Sequence, residues 1–200
     1  MSQKNKRREQ ILEAALGVIA RHGMRKTTME DIADAAHMRA ASLYYYFKSK
    51  EEVFSAALRE LGNSYLSASR RAVEAVESGR EKFTVYLEKR QQAEAEMGAN
   101  FDVTSEVVIE LMPLVREATT ELLASDRELI TEILHKGIDD GSFELDDVES
   151  MVVTLQASFM GTNALCKTGD FEADVVLPTR RDVFIRGLLK RSCGDEGGNR

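Results

Sequence analysis

Apolar residues recur every three or four positions along nearly the whole 200-residue chain, and no stretch alternates as a half-buried strand does. This period places the apolar side chains of each segment on one face of a helix. The sequence therefore predicts an all-α protein of about nine helices. No segment holds the ~20 uncharged apolar residues of a membrane span, and the basic start of the chain lacks a signal-peptide apolar block. We therefore expect a cytoplasmic protein without a membrane partner.

Charge is distributed unevenly along the chain. Residues 1–50 hold 10 Lys and Arg against 5 Asp and Glu, giving +5, whereas residues 51–200 hold 17 against 29, giving −12. A basic N-terminal part joined to an acidic body indicates a polyanionic partner for the first part only. The alternative is an unevenly charged, solvated surface without such a partner.

The basic part contains two short helical patterns separated by a turn. Thr28 and Asp31 have the spacing of a capping box at the start of the first pattern, and the second begins near Arg39. The turn falls at His37 and Met38, so the two patterns together form a predicted helix-turn-helix. A helix from Lys6 to His22, ended by Gly23, precedes them. Ser49 and Glu52 repeat the capping spacing and open a long helix that we expect Gly79 to end.

Three later helix starts are predicted in the same way. Pro113 suits the first position of a helix near 113–138, and Asp146 and Thr179 are the expected N-caps of the helices that follow.

The second short helix has two different sides. Leu43 and Phe47 fall on one side, whereas Ala41, Ser42 and Tyr45 fall on the other. Small residues let a helix approach the floor of a DNA major groove, and tyrosine hydroxyls can donate to phosphate oxygens. The alternative is that the tyrosines are half-buried core residues with their hydroxyls at the surface.

The segment TTMEDIADAAHMRAASLYYYFKSKEEVF, Thr27 to Phe54, resembles the DNA-binding signature of the TetR family of bacterial transcriptional regulators. The resemblance rests on Thr-x-x-x-Ile-Ala, Leu-Tyr-Tyr-x-Phe and Lys-x-Lys-Glu at the family's spacing. It implies an N-terminal three-helix DNA-binding domain, residues 1–50, and a larger helical domain, residues 51–200, that binds a small molecule and dimerises. Repression of a double-stranded DNA operator, relieved by that effector, is the usual function in the family.

The resemblance also implies a set of DNA-contacting residues. Positions that meet bases and phosphates from the recognition helix are Arg39, Ala40, Ala41, Ser42, Tyr44 and Tyr45. Positions that usually meet phosphate are Thr28, Tyr46, Lys48 and Lys50.

One departure from the family pattern lies in the turn, where His37, Met38 and Arg39 replace Gly-Val-Ser. We expect His37 to adopt the left-handed backbone that the glycine commonly permits. Arg39 removes a serine N-cap and can instead contact phosphate or read guanine with two hydrogen bonds.

Adaptable methionines and aromatic residues suit apolar guests, which predicts an effector pocket between the long helices. The candidate lining residues are Tyr65, Phe83, Tyr86, Met97, Phe101, Met112, Phe159, Met160 and Asn163. The alternative is that these side chains form ordinary core.

The last two predicted helices, near 146–167 and 179–191, have apolar faces beyond the needs of one subunit. Ala157, Gly161 and Ala164 form a smooth second face on the first of them, and together the two helices resemble the family's dimer interface. A twofold dimer predicts a palindromic operator. A central helix buried within one subunit is the alternative.

No catalytic, metal or cofactor site is predicted, because the three histidines are scattered and neither Cys166 nor Cys193 has metal-ligand spacing. An enzyme whose site is assembled only by the fold, and a helical interaction or small-molecule-binding protein without DNA binding, are the alternative classes. Activation instead of repression, and oxidant sensing by Cys166 instead of inert packing, also stay open.

Overall fold

The computed structural model describes the backbone of residues 3–100, 104–167 and 173–188, and the side chains in these ranges except 97–100, 105, 161–167 and 173–174. These ranges form eight α-helices and no β-strand, which confirms the all-α prediction with one helix fewer than expected. No helix in the described part of the chain is long and apolar enough to span a bilayer. The helices are α1 (Gln3–Lys26), α2 (Met29–Ala35), α3 (Ala40–Tyr44), α4 (Lys50–Glu74), α5 (Gly79–Asn100), α6 (Ser105–Asp139), α7 (Val148–Lys167) and α8 (Ala173–Leu188).

Two prolines lie inside helices that the sequence predicted to begin near them. Pro113 was expected to open a helix, but α6 runs through it without interruption. Leu111 on one side of the proline and Leu114 on the other both pack into the same core, so tertiary contacts keep the helix continuous. Pro178 likewise lies within α8, and the Thr179 hydroxyl, predicted to be an N-cap, instead donates to the Val175 carbonyl at 2.8 Å.

Helix starts in the N-terminal part follow the predicted capping residues. The Thr28 hydroxyl accepts from the Asp31 amide at 3.1 Å, and the Asp31 carboxylate accepts from the Thr28 amide at 2.8 Å, so the capping box is complete. Ser49 caps α4 through the Glu52 amide at 3.2 Å, although the Glu52 carboxylate accepts from Lys48 instead of Ser49.

Gly79 begins α5 and does not end α4, which corrects the prediction. A Cβ atom on Gly79 would lie only 2.1 Å from the Gly137 Cα, so glycine is required where the start of α5 meets the end of α6. Ser78 caps α5 through the Glu81 amide. At the start of α7 the capping residue is one position later than predicted: Asp147, and not Asp146, accepts from the Ser150 amide.

The helices enclose two hydrophobic cores. The first is formed by α1, α2, α3 and the N-terminal ends of α4 and α6; the second is formed by the remaining parts of α4 and α6 with α5, α7 and α8. Both α4 and α6 therefore pass from one core into the other. The first core also includes Val53, Phe54 and Ala57, so it extends beyond the predicted domain boundary at residue 50, and that boundary stays a prediction.

Candidate DNA-contacting surface and buried polar centre

The turn of the helix-turn-helix has the geometry of a Schellman motif. His37 has a φ angle of 53°, in the left-handed region, as the sequence predicted for the residue in the glycine position. Its amide donates to the Asp34 carbonyl at 3.0 Å, and the Met38 amide donates to the Ala33 carbonyl at 2.9 Å. This turn fixes the direction in which α3 leaves α2.

Helix α3 presents its small and aromatic residues to solvent. Leu43 is fully buried and Phe47 is 5% exposed, so both anchor the helix on the first core. On the opposite side Ala41 and Ser42 are exposed, and the exposed fractions of Tyr44 and Tyr45 are 51% and 76%. Arg39 occupies the N-cap position without a side-chain cap hydrogen bond. Ala40 is half-buried and packs against the first core.

Tyr46 differs from the two preceding tyrosines. It is half-buried, packs against the first core and meets the Tyr45 ring edge to face, with 5.4 Å between the ring centroids. The Lys4 amine of α1 lies 5.9 Å from the centroid of the Tyr45 ring. Tyr45 therefore lies beside the basic N-terminal helix α1, whereas Tyr46 holds α3 against the first core.

The two lysines after α3 have different surroundings. Lys48 is exposed, next to the start of α4. The Lys50 amine instead donates to the carbonyls of Met24 and Thr27, at 2.6 and 2.7 Å, and so satisfies carbonyl groups at the end of α1. Two of its three donors are used within the fold. Thr28 is exposed beside Lys50, and its side chain is engaged in the capping box.

The predicted effector-binding residues divide into four groups. The first, Tyr65, Tyr86 and Phe159, lies together in the second core, with 6.2 Å between the ring centroids of Tyr86 and Phe159. Phe83 belongs to the same core but packs edge to face on Phe143, 5.7 Å away. Met112 and Met160 are 44% and 46% exposed on the helix surfaces. The other predicted side chains, Met97, Phe101 and Asn163, lie outside the described residues, as do those of Gly161, Ala164 and Cys166.

Charged side chains surround Tyr65, Tyr86 and Phe159, and no sequence pattern predicted these charged neighbours. The Tyr86 hydroxyl donates to both carboxylate oxygens of Asp126, at 3.1 and 3.2 Å. The Arg90 guanidinium lies 5.4 Å from the Tyr65 ring centroid and 4.8 Å from that of Phe159. Such contacts between a cation and an aromatic face are attractive, and burial strengthens them.

Glu94 links two guanidiniums in this cluster. It accepts from Arg90, one turn earlier in α5, at 3.1 Å, and also from Arg180 of α8. Arg180 lies over Phe159 as well, 4.7 Å from its ring centroid. The exposed fractions of the Glu94 and Arg180 side chains are 3% and 10%, so this ion pair connects α5 to α8 inside the fold. Ser69, fully buried on α4 four residues after Tyr65, lies next to this cluster. We call Tyr65, Ser69, Tyr86, Arg90, Glu94, Asp126 and Arg180 the buried polar centre.

Burial changes the acidity of three groups in the buried polar centre. It raises the pKa of the Tyr65 hydroxyl, with the nearby Asp126 carboxylate adding to the effect, and it raises the pKa of Tyr86 well above the ordinary tyrosine value. Burial also raises the pKa of Asp126, against the opposing influence of Arg90 and the hydrogen bond from Tyr86. Both tyrosines are therefore neutral hydroxyl donors at physiological pH.

A sequence signal for this centre existed. Tyr86, Arg90 and Glu94 follow one another at intervals of four residues and so share one face of α5. That spacing alone is typical of a solvent-exposed salt bridge, and only the packing of α8 and α6 against it creates a buried site. Metal ligands do not gather anywhere in the described ranges: no three His, Cys, Asp or Glu side chains lie close enough to hold an ion.

Comparison with known proteins assigns the family. The family model for bacterial regulatory proteins of the tetR family matches residues 11–57, which include the whole helix-turn-helix. The HTH-type transcriptional repressor KstR2 of Rhodococcus jostii is 35% identical over 160 residues, which cover 74% of this chain and 74% of the repressor. The chain belongs to the TetR family. It is therefore a DNA-binding transcriptional regulator of a family that is regulatory and not enzymatic.

Solved structures of TetR-like regulators share the fold over most of the chain. FadR from Bacillus subtilis, in complex with stearoyl-CoA, has a TM-score of 0.74 at 21% identity and covers 90% of this chain and 98% of its own. A transcriptional regulator from Saccharomonospora viridis, in complex with choline, has a TM-score of 0.76 at 21% identity. The match covers 94% of this chain and 100% of the regulator. The TetR-family architecture thus extends through α4 to α8, beyond the segment that the family model matches.

Proposed function

We propose that this TetR-family regulator is a repressor that binds a palindromic operator as a homodimer and is released by a small-molecule effector. The observation that carries the proposal is the outer face of α3, where Ala41, Ser42, Tyr44 and Tyr45 are exposed while Leu43 holds the helix to the core. A helix with a small, polar outer face can enter a major groove, and tyrosine hydroxyls at its end reach the phosphates.

The surroundings of α3 support DNA binding. Lys4, Lys6, Arg7 and Arg8 make the start of α1 basic, and Lys48 is exposed at the other end of the recognition helix. Contacts of such cations with phosphate account for much of the affinity of DNA-binding proteins. Arg39, exposed at the N-cap of α3, is our candidate for reading guanine in the operator.

Exposed apolar residues on the last two helices support dimerisation through α7 and α8. Val153 and Met160 are seven residues apart on one face of α7 and are 45% and 46% exposed. Val175 and Val183 on α8 are 59% and 62% exposed. Covering these residues with a second subunit removes apolar surface from water and places two recognition helices side by side.

Helix α6 offers a physical connection between effector and operator. Its N-terminal part packs Val107 and Leu111 into the first core, and the Glu110 carboxylate accepts from the Arg25 amide at 2.7 Å. Its middle part carries Asp126 in the buried polar centre. An effector that displaces side chains around Asp126 therefore acts on the same helix that supports α1. The KstR2 relative, named as a repressor, supports repression as the direction of regulation.

The function is tested by selecting bound sequences from random double-stranded DNA and then titrating the full-length protein with the selected site. We expect an inverted repeat with half-sites about one helical turn apart, or a multiple of it, bound by at least two copies of the chain. Selection of no sequence above background, or binding of one copy to an asymmetric site, would contradict the proposal.

The dimer interface is tested by Val153→Arg in sedimentation at micromolar concentration. Its matched control is Thr120→Arg, which places the same side chain at an exposed position of α6. We expect the Val153 variant to be monomeric and the control to remain dimeric. Equal masses for the two variants would exclude this face of α7 from the interface.

A further inference from the structure

Two hydroxyl groups in the second core lie on adjacent turns of α4 without a hydrogen bond. Ser69 is completely buried, and the hydroxyl oxygen of Tyr65 is shielded from solvent although part of its ring is exposed. The four-residue interval places both on the same face of the helix. Buried hydroxyls without a partner are uncommon in folded proteins, and each calls for a physical explanation.

The surroundings of these hydroxyls belong to the buried polar centre. Tyr86, Asp126 and Arg90 all lie near enough to Tyr65 to influence its hydroxyl electrostatically. The Tyr86 hydroxyl, however, is committed to Asp126, and Arg90 to Glu94. Neither Tyr65 nor Ser69 makes a well-formed hydrogen bond with a described residue. The Tyr65 hydroxyl lies close enough to those of Ser69 and Tyr86 for both to affect its pKa, so the three hydroxyls are neighbours whose hydrogen-bonding capacity is incompletely used.

The ionic groups of the centre balance one another. Arg90 and Arg180 carry two positive charges, and Glu94 and Asp126 supply two carboxylates. A ligand that brought a net charge into this balanced cluster would leave one buried charge without compensation, which is strongly unfavourable. A ligand can therefore interact with this cluster favourably only through uncharged groups that form hydrogen bonds.

The remaining surroundings are apolar. Phe159, Leu155 and Ile130 are each at most 1% exposed, and they belong to the same hydrophobic cluster as Tyr86. A guest at this position must be mainly apolar, because the charged groups around it are already paired with one another and the other neighbouring side chains are apolar. Two converging hydroxyl donors match the two lone pairs of one carbonyl oxygen.

We propose that Tyr65 and Ser69 are specificity-determining residues for the effector, and that they hydrogen-bond the carbonyl oxygen of an uncharged ketone, ester or thioester carried on an apolar body. This inference rests on the proposed function, because it names the chemical class of the molecule that releases the operator. It places a polar recognition point beside the apolar side chains of the second core.

The first test measures binding of 2-undecanone, labelled with ¹³C at its carbonyl, to the full-length protein by isotope-edited infrared spectroscopy. We expect the bound carbonyl to absorb at a lower wavenumber than the same ketone in hydrocarbon solvent, because hydrogen bonds weaken the C=O bond. Tyr65→Phe and Ser69→Ala should each remove part of this shift and weaken binding roughly three- to tenfold. Ser67→Ala, an exposed serine on the same helix, is the matched control and should change neither.

Charge selectivity is measured with the same protein by calorimetry. The ketone should bind at least about tenfold more tightly than undecanoate or undecylammonium, since either ion disturbs the balanced charges. An unshifted carbonyl band, shifts that survive both substitutions, tighter binding of either ion, or no binding of the ketone would each overturn the inference.

A stability measurement separates ligand recognition from a structural role. Because neither hydroxyl has a partner in the fold, Tyr65→Phe and Ser69→Ala should leave the melting temperature of the free protein unchanged or raise it. A fall of several degrees would show that the hydroxyls hold the fold together, which would overturn the inference. Operator affinity is measured separately. If the protein binds the ketone through these residues but binds no operator, only the proposed function is contradicted. If it binds an operator but not the ketone, only the ketone site is contradicted.

Discussion

The DNA-contacting end and the buried polar centre differ in how their polar groups are satisfied. In the helix-turn-helix the hydrogen bonds are local: Thr28 with Asp31, and His37 with Asp34, are each three residues apart. In the buried polar centre only Arg90 and Glu94 pair locally; the other partners are distant, 40 residues for Tyr86 and Asp126 and 86 residues for Glu94 and Arg180. A DNA surface can be built on a local motif because it must stay exposed, whereas a buried site depends on several helices meeting.

The comparison predicts that the largest loss of stability comes from the second region. Replacing Glu94 with Ala leaves Arg90 and Arg180 buried near each other with only the Asp126 carboxylate to balance them, which should reduce the free energy of unfolding by about 3–5 kcal/mol. Urea denaturation at a fixed protein concentration measures this change. Glu132→Ala, at the exposed Arg70 pair, is the control and should cost about 1 kcal/mol or less. Similar losses for the two variants would contradict the contrast between buried and exposed pairs.

A pair of lysines tests the comparison inside the DNA-contacting end. Lys50→Met removes two hydrogen bonds to carbonyls at the end of α1 and should reduce the free energy of unfolding by about 2 kcal/mol. Lys48→Met should leave stability unchanged and instead lower the slope of log affinity against log salt by about one. Denaturation and salt titration on both variants check the assignment. If Lys50→Met changed only the salt slope, Lys50 would be a phosphate contact, as the family resemblance implies.

The pH dependence of stability tests the burial of Asp126. Because the folded protein has the higher Asp126 pKa, it binds a proton more readily than the unfolded chain does. The ionised carboxylate therefore lowers stability at neutral pH, and wild type should gain stability relative to Asp126→Asn as the pH falls toward the ordinary pKa of 3.8. Denaturation of both proteins between pH 8 and pH 4 gives this difference. A relative loss by wild type on acidification would mean that Arg90 outweighs burial.

The smallest expected effect concerns the turn. His37→Gly replaces a side chain in the left-handed region by the residue that adopts it most readily, and should stabilise the protein by about 0.5–1 kcal/mol. Asp34→Gly, in the regular part of α2, is the control and should destabilise by about 1 kcal/mol. Thermal denaturation distinguishes the two; destabilisation by His37→Gly would mean that the imidazole makes a contact that outweighs the backbone strain.

The sequence predicted most of the DNA-contacting end because its determinants are close together along the chain. The Thr28 capping box, the left-handed His37 and the anchoring of α3 by Leu43 all follow from local spacing. Lys50 is the instructive exception. Its partners, Met24 and Thr27, lie at the end of α1 and in the short connection that follows it, and no local pattern shows that the Lys50 amine turns toward them.

Less of the second region could be predicted, for the same physical reason. Sequence spacing predicts a helix start at Pro113, but the helix continues through it. The spacing cannot show that the residues on both sides of the proline pack into one core. The predicted pocket contained Tyr65, Tyr86 and Phe159 but omitted their charged neighbours Arg90 and Asp126. Charged residues at helical spacing usually lie on the surface, and only the meeting of α4, α5, α6 and α8 buries these.

The most direct test of the account compares the affinity of the full-length protein for its selected operator and for a scrambled duplex across a salt series. We predict operator binding about 10³-fold or more tighter than scrambled binding, a steep loss of affinity with salt, and a loss of discrimination at one guanine in the Arg39→Ala variant. Equal affinity for both duplexes at every salt concentration would contradict the assignment of α3 as the recognition helix, and with it the central claim that the exposed end of this protein reads DNA.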